Sequence, residues 1–261
     1  MYGLLDNLAN TNLELELPPE IFATSFNVEL EKEEEEKDNS GYIFAKEFTC
    51  PVCRANFTSA VLRESKLRML GTDELRPIYK DMEPLCYDVL MCVNCGYASL
   101  KDKFDVLSER QEEMLLTNIR ANYTNFMPAS YPLEIDLKMA VERNKYALLT
   151  AIIKKSSLGE KGTLLMKISW LYKIMGDTEN AKLFTKYAYE YFSKAYSTER
   201  SPIFGMSEGT ITFLLSRFAT DLGEYDVALK FLSNIIVDKN MSERLRNLAR
   251  DLKDEITELR K

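Results

Sequence analysis

Two short cysteine pairs carry the clearest chemistry in this sequence. CPVC begins at Cys50, CVNC begins at Cys92, and 38 residues lie between the two motifs. Cysteines with two residues between them can direct their sulfurs at one ion from a tight turn, and two such turns supply the four thiolates of a closed tetrahedral zinc site. We therefore predict a zinc site, and its ligands are Cys50, Cys53, Cys92 and Cys95.

Four cysteines in two pairs are also compatible with other chemistry. A single iron or an iron–sulfur cluster takes the same ligands, and a redox-active pair needs only one CxxC motif, near the start of a helix. The fifth cysteine, Cys86, is predicted to be a buried inert thiol, and a role as a replacement ligand is the alternative.

The sequence lacks the residue types and motifs that common catalytic sites use. There is no histidine, which excludes Ser-His-Asp and Cys-His catalysis, and neither a Walker-type phosphate loop nor GxGxxG occurs. A shell of four sulfurs leaves no open position on the metal for water or substrate. We therefore predict a structural metal and no enzymatic activity.

The segments around the two cysteine pairs predict strands that lead into tight turns. YIFAKEFT precedes the first pair and CYDVLM precedes the second, and both are typical of strands. The turn-rich GTDELRP at 71–77 predicts a hairpin or loop inserted between the pairs. Gly96 follows the second pair directly, where a knuckle turn often needs a positive φ. Residues 42–104 are thus predicted to form a small β-rich, zinc-ribbon-like module.

Helical periodicity replaces the strand pattern after residue 104. Helices are predicted over 105–126 and 133–155, three or four more follow, and a last helix covers 241–260. That last helix places apolar residues at steps of three and four along one face. Residues 105–261 are therefore predicted to form a helical module.

The helical module contains an internal repeat with an offset of 47 residues, which aligns Gly176 with Gly223. Each glycine is predicted to end a helix in the left-handed conformation, and the acidic residue after it begins the next helix. GDTENA at 176–181 and GEYDVA at 223–228 resemble the turn between the two helices of a tetratricopeptide repeat, although that family's period is about 34. The predicted fold class is multi-domain and mostly α, with a zinc-ribbon-like module followed by a tetratricopeptide-like array of α-helical hairpins.

Charge is distributed unevenly along the chain, whose net charge is −7. Residues 1–40 hold 11 acidic side chains and two lysines, so the remainder is close to neutral. We predict that 1–41 is an acidic, partly disordered segment, with an acidic docking tail as the alternative. Residues 54–80 hold six basic and three acidic side chains. A solvated face is predicted there, and nucleic acid or an acidic protein segment, including the chain's own, are the alternatives.

The chain shows neither a secretion signal at its start nor an apolar stretch long enough for a bilayer, so we expect it in the cytoplasm, where thiols stay reduced. A crowded set of aromatic residues is predicted to be mostly core, with some members lining a peptide-binding groove. These residues are Tyr187, Tyr189, Tyr191, Phe192 and Tyr196.

The cysteine region also resembles a known family, the bacterial domain of unknown function 2225. The resemblance lies in the FTCPVC start, the ESKLRML segment and the PLCYDVLMCVNCGYA finish, and with the helices it covers most of 42–240. It implies a bacterial cytoplasmic protein with a metal at the four matching cysteines, and it implies no activity. CVNC departs from the more usual second pair, which contains proline.

These observations predict an adaptor or scaffold that binds an unidentified protein or peptide through its helices, with zinc fixing the first module. The alternative is a nucleic-acid-associated regulator that uses the ribbon. No membrane partner is expected.

Overall fold

A computed structural model describes residues 16–23, 41–73, 75–120, 123 and 133–261. It divides into two compact units. The first contains the chain up to Gly71 and Ile78–Ser156, and the second contains Thr72–Pro77 and Ser157–Lys261. Most of the acidic segment predicted over 1–41 lies outside the described residues. The domain boundaries predicted at residues 41 and 104 concern independent folding, and they stay predictions. By contacts, the compact units place 105–156 together with the cysteine region.

Strands in the described residues occur as three separate two-stranded sheets, β1 with β2, β3 with β4 and β5 with β6. The first and third are antiparallel hairpins, and β3–β4 lies where the spacer predicts an inserted hairpin or loop. Each cysteine pair falls in the turn of an antiparallel hairpin. The strands are β1 (Ile43–Thr49), β2 (Asn56–Leu62), β3 (Met69–Asp73), β4 (Arg76–Tyr79), β5 (Val89–Met91) and β6 (Ala98–Leu100).

The strand predicted through Cys86 is shorter than expected. Pro84–Tyr87 forms a 3-10 helix, and β5 has only three residues. Proline fixes φ near the helical value at the first position, and the Glu83 carboxylate accepts a hydrogen bond from the Leu85 N–H at 3.2 Å. These two local features favour a helical turn over an extended chain.

Two helices complete the first unit. α1 (Glu109–Leu115) begins after Ser108 with a capping box to Gln111 and continues as a π-helical turn over Leu116–Arg120. α2 (Leu137–Ile153) begins after Asp136, whose carboxylate accepts a 2.6 Å hydrogen bond from the Met139 N–H. Every residue of α2 from Met139 to Ile153 is buried, so the helix forms the centre of the unit. It packs against β5 and β6 and thereby supports the second cysteine turn.

The second unit is an array of helices in which each packs against the next along the chain. Its helices are α3 (Leu158–Ile174), α4 (Thr178–Thr198), α5 (Glu208–Asp221), α6 (Tyr225–Val237) and α7 (Glu243–Leu259). α7 contributes Leu245, Leu252 and Ile256 to a core shared with α5 and α6, whereas Leu259 at its end is 53% exposed. A helical array after a small β region is the predicted fold class, and the structure confirms it. The likeness to tetratricopeptide repeats stays a prediction.

The turns of the two helical hairpins share one geometry. Gly176 and Gly223 have φ values of 75° and 83°, which confirms the left-handed conformation predicted for them. The next N–H reaches back to a carbonyl of the preceding helix, from Asp177 to Tyr172 at 3.0 Å and from Glu224 to Ala219 at 2.8 Å. Asp177 and Glu224 are the N-cap residues of α4 and α6, so each helix begins one residue after the acid at which it is predicted to begin.

Candidate metal centre

The first cysteine pair lies in the turn between β1 and β2. The Cys50 N–H donates to the Ala55 carbonyl at 2.9 Å, and the Arg54 N–H donates back to the Cys50 carbonyl at 2.9 Å. Arg54 has a φ of 62°, a left-handed conformation that non-glycine residues seldom adopt. These bonds close the turn so that both sulfurs lie on its inner side, next to the second turn.

The second cysteine pair repeats this turn between β5 and β6. The Cys92 N–H donates to the Tyr97 carbonyl at 2.8 Å, and the Gly96 N–H donates to the Cys92 carbonyl at 2.9 Å. Gly96 has a φ of 76°, which agrees with the positive φ predicted from its place after the pair. The two turns are therefore matching knuckles with Arg54 and Gly96 at equivalent positions.

The two knuckles bring together the four cysteines that the spacing singles out. Their sulfurs all lie within 4.8 Å of one another, with 3.6 Å between the Cys50 and Cys95 Sγ atoms and 3.7 Å between those of Cys53 and Cys92. A tetrahedral ion with Zn–S bonds of about 2.3 Å needs sulfurs about 3.8 Å apart. The donor set and its spacing therefore fit a metal ion held by four thiolates.

The proton equilibria of the cluster also favour a cation. Hydrogen bonds from Cys50 and then Cys95 lower the pKa of Cys92 to about 2. The hydrogen bond with Cys92 raises the pKa of Cys50 to about 12, and those with Cys50 and Cys92 raise the pKa of Cys95. Cys92 thus forms a thiolate while Cys50 and Cys95 stay protonated, because several negative charges cannot lie this close together without a cation. A divalent ion among the sulfurs removes that conflict.

Nitrogen donors around the cluster stabilise negative charge on sulfur. Backbone hydrogen bonds from Asn94 and Cys95 lower the pKa of Cys92, and one from Cys53 lowers that of Cys50. The Asn94 side-chain amide also donates to the Cys53 Sγ at 3.3 Å. Asn94 is not among the predicted site residues, and its only signal in the sequence is its place inside the second CxxC motif. Such partners around metal ligands fix the orientation and basicity of those ligands.

Cys86 lies outside the four-sulfur group. It is 5% exposed, and burial raises the pKa of its thiol to about 12. A buried, protonated thiol is a poor nucleophile and a poor ligand. Cys86 therefore serves as a natural control for the four clustered cysteines.

Substitution of Gly96 by alanine is expected to destabilise the second knuckle. A Cβ at this position would lie 2.4 Å from a ring carbon of Tyr123, and alanine would also be held at a positive φ. We expect Gly96→Ala to lower the free energy of unfolding by about 2–4 kcal/mol, as measured by urea denaturation.

The equivalent residue of the first knuckle provides the matched control. Arg54→Gly relieves the positive φ but removes an exposed ion pair with Glu112 and adds glycine's backbone entropy, so we expect a change of at most about 1 kcal/mol. Equal destabilisation by the two substitutions would contradict the assigned knuckle geometry.

The sequence matches one family over most of its length. The model of the family described as "Uncharacterized protein conserved in bacteria (DUF2225)" matches residues 43–256. The chain belongs to this family. The matched range includes both knuckles and reaches into α7. No match was found among curated proteins, and none among solved structures.

Among the described residues, no helix is both long enough and apolar enough to cross a membrane.

Proposed function

We propose that this DUF2225 protein binds one structural zinc ion and works as a cytoplasmic adaptor or scaffold, with its helical array as the binding surface for a protein segment. The observation that supports the zinc site most directly is the group of four cysteine sulfurs within 4.8 Å. Two matching knuckles with N–H donors to sulfur are the local structure that such a group needs. No reaction is assigned to the protein.

Zinc suits this centre because it accepts four thiolates in a closed tetrahedral shell and supplies folding energy there. Cys50, Cys92 and Cys95 are buried, and only Cys53 is partly exposed. A shell of this kind, with no ligand left for exchange, supports a structural role rather than a catalytic one. The same ligands could hold iron, which is the alternative metal.

Metal analysis of the full-length protein, purified without chelators, tests the zinc proposal. We expect about one zinc per chain and a colourless protein. Cys53→Ser is expected to weaken zinc retention against a competing chromogenic chelator, whereas Cys86→Ser is expected to leave it unchanged. Coloured protein with stoichiometric iron would show that the bound metal is iron and not zinc. Protein without bound metal from both metal-supplemented and ordinary medium would contradict the proposal.

The adaptor proposal is supported by the aromatic side chains of α4. Tyr191 and Phe192 are buried in the core, whereas Tyr187 and Tyr189 are half-buried and Tyr196 is 38% exposed. Partly exposed tyrosines are enriched at interface hot spots because they combine a large apolar surface with a hydroxyl group. Stacked helical hairpins commonly bind peptides in this way.

A photo-crosslinking amino acid in place of Tyr187 tests the adaptor proposal. In bacterial extract, we expect a small set of discrete adducts that disappear when Tyr196 is also changed to alanine. The matched control carries the same amino acid in place of Lys253, an exposed residue of α7. Identical adducts from the two positions, or none from the Tyr187 position, would contradict binding by the α4 surface.

The nucleic-acid alternative is not proposed. The basic excess over 54–80 is three charges, and such a small number predicts only a shallow dependence of nucleic-acid binding on salt, whereas a nucleic-acid binder normally has a clear basic excess.

A further inference from the structure

A cleft on the first unit has the features of a peptide-anchoring site. It has a volume of about 250 Å³, smaller than the roughly 300–1,000 Å³ of typical small-molecule sites but sufficient for one large apolar side chain. Its apolar lining consists of Leu62, Leu67, Tyr79, Pro84 and Tyr87. Glu64, Asp88 and Lys101 complete it, and the Lys101 Nζ pairs with the Glu64 Oε1 at 3.2 Å.

Three exposed cations border this cleft, and we call them the basic rim: Lys66, Arg68 and Lys80. Lys66 and Arg68 flank the lining residue Leu67, and Lys80 follows the lining residue Tyr79. The Lys80 N–H donates to the Arg68 carbonyl at 3.0 Å, so the cations from the two segments lie next to each other. The rim therefore places three exposed cations beside a cleft whose lining combines apolar side chains with Glu64, Asp88 and Lys101.

The basic rim takes part in no ion pair within the part of the chain that the structure describes. The ion pairs there involve other residues, and none includes Lys66, Arg68 or Lys80. The nearby Asp81 carboxylate accepts a hydrogen bond from the Tyr42 hydroxyl at 3.1 Å. Next to Arg68, Met69 and Leu70 are 62% and 67% exposed, which extends the apolar surface beyond the cleft.

We propose that this surface binds an acidic segment of a partner protein, with one leucine or aromatic side chain of that segment in the cleft and its carboxylates against the basic rim. A buried apolar anchor with charged contacts around it is the usual arrangement of a peptide hot spot, and complementary charge adds specificity and association rate. Nucleic acid fits less well, since Leu62, Leu67 and Pro84 in the cleft lining suit an apolar side chain rather than a phosphate group. The chain's own acidic residues 28–38 lie outside the described residues and are not part of the proposed site.

Fluorescence anisotropy of the full-length protein tests this proposal with a labelled peptide, EEDLFDEE, and a control peptide, EEDSSDEE, which has the same charge but no anchor. We expect saturable binding of the first peptide and at least about tenfold weaker binding of the second. Each titration is repeated on a chain with Glu33–Glu36 changed to serine, which lowers the negative charge of the chain's own acidic segment.

Charge reversal of the basic rim provides the second part of the test. Arg68→Glu with Lys80→Glu is expected to weaken EEDLFDEE binding at least about tenfold. Lys182→Glu with Lys253→Glu makes the same change in net charge at two exposed residues of the second unit and is expected to leave binding unchanged. An unaltered thermal midpoint shows that each variant is folded.

Three outcomes would overturn the proposal. These are no binding of EEDLFDEE by either form of the chain, equal binding of the two peptides, and equal weakening by the two charge-reversed pairs. Tighter binding of a single-stranded 20-nucleotide DNA than of EEDLFDEE, with the same dependence on the basic rim, would instead assign the surface to nucleic acid.

Discussion

Removal of the metal is expected to unfold the first unit and to leave the helices from α3 to α7 folded. The substitution that tests this is Cys92→Ala, which deletes a ligand at the centre of the four-sulfur group. We expect the variant to purify without zinc and to lose amide-exchange protection in β1, β2, β5 and β6. The helices of the second unit are expected to keep the protection of the unmodified protein.

The reason lies in the small size of the sheets that carry the two knuckles. Its sheets have only two strands each, and two-stranded hairpins are marginally stable at best in water. A structural zinc contributes roughly 10–16 kcal/mol of apparent binding free energy in zinc-finger peptides, while a whole domain is stable by about 5–15 kcal/mol. Loss of the proposed ion would therefore remove an amount comparable with the whole margin by which a domain is folded.

The second unit has no share in the four-sulfur group and holds its own core. α5, α6 and α7 bury a continuous apolar cluster that includes Leu232, Ile235 and Ile256, and α3 packs along α4. Burial of aliphatic side chains contributes about 1.5–3 kcal/mol each, independent of the metal. A single transition, that of the helices from α3 to α7, is therefore expected on heating the zinc-free variant.

Hydrogen exchange measured by mass spectrometry distinguishes these expectations, and Cys86→Ala is the matched control. Cys86 is also a buried cysteine of the first unit, so its loss removes a similar volume without removing a ligand. We expect that variant to retain zinc and full protection in the strands. Unchanged protection in Cys92→Ala would contradict a structural role for the metal, and uniform loss across both units would contradict their independence.

The cysteine site illustrates what sequence spacing can and cannot predict. Two CxxC motifs in a chain without histidine point to a four-thiolate group, because few other uses explain both pairs, and the structure does bring the four sulfurs together. The positive φ at Gly96 follows from residue type, since glycine tolerates it. Its equivalent at Arg54 could not be predicted, because arginine seldom adopts that conformation and only the knuckle's hydrogen bonds impose it.

The central helix of the first unit shows the limit of periodicity. The prediction of a helix over 133–155 agrees with α2 in type and approximate extent. From residue type alone, the polar run from Glu142 to Lys145 would be expected in contact with solvent. In the structure each of these residues is at most 2% exposed. The groups that surround it are distant in sequence, such as Ser59 near Arg143 and Ala23 near Lys145, and local pattern carries no information about them.

Replacement of Lys145 by methionine is the second substitution for which we expect a large effect. The Lys145 Nζ lies 3.6 Å from the Glu142 Oε1, both side chains are at most 2% exposed, and the same Nζ donates to the Ala23 carbonyl at 2.7 Å. Burial lowers the pKa of Lys145, and the Glu142 charge opposes that shift. Loss of the cation leaves a buried carboxylate beside an apolar side chain, so we expect the free energy of unfolding to fall by about 3–5 kcal/mol.

A double-mutant cycle separates the cost of the buried Glu142 charge without Lys145 from the value of the pair. Buried ion pairs replaced as a whole by apolar side chains of similar volume are often as stable as the original, so Glu142→Leu with Lys145→Met is expected to recover most of the loss. The remainder, about 1 kcal/mol, corresponds to the lost donor at the Ala23 carbonyl. Lys182→Met, an exposed substitution of the same type, is expected to change stability by less than about 0.5 kcal/mol. Urea denaturation measures the loss in free energy of unfolding for Glu142→Leu, for Lys145→Met and for the double variant. If the loss in the double variant equals the sum of the two single losses, the two buried charges act independently. The destabilisation by Lys145→Met then comes only from loss of the hydrogen bond to the Ala23 carbonyl.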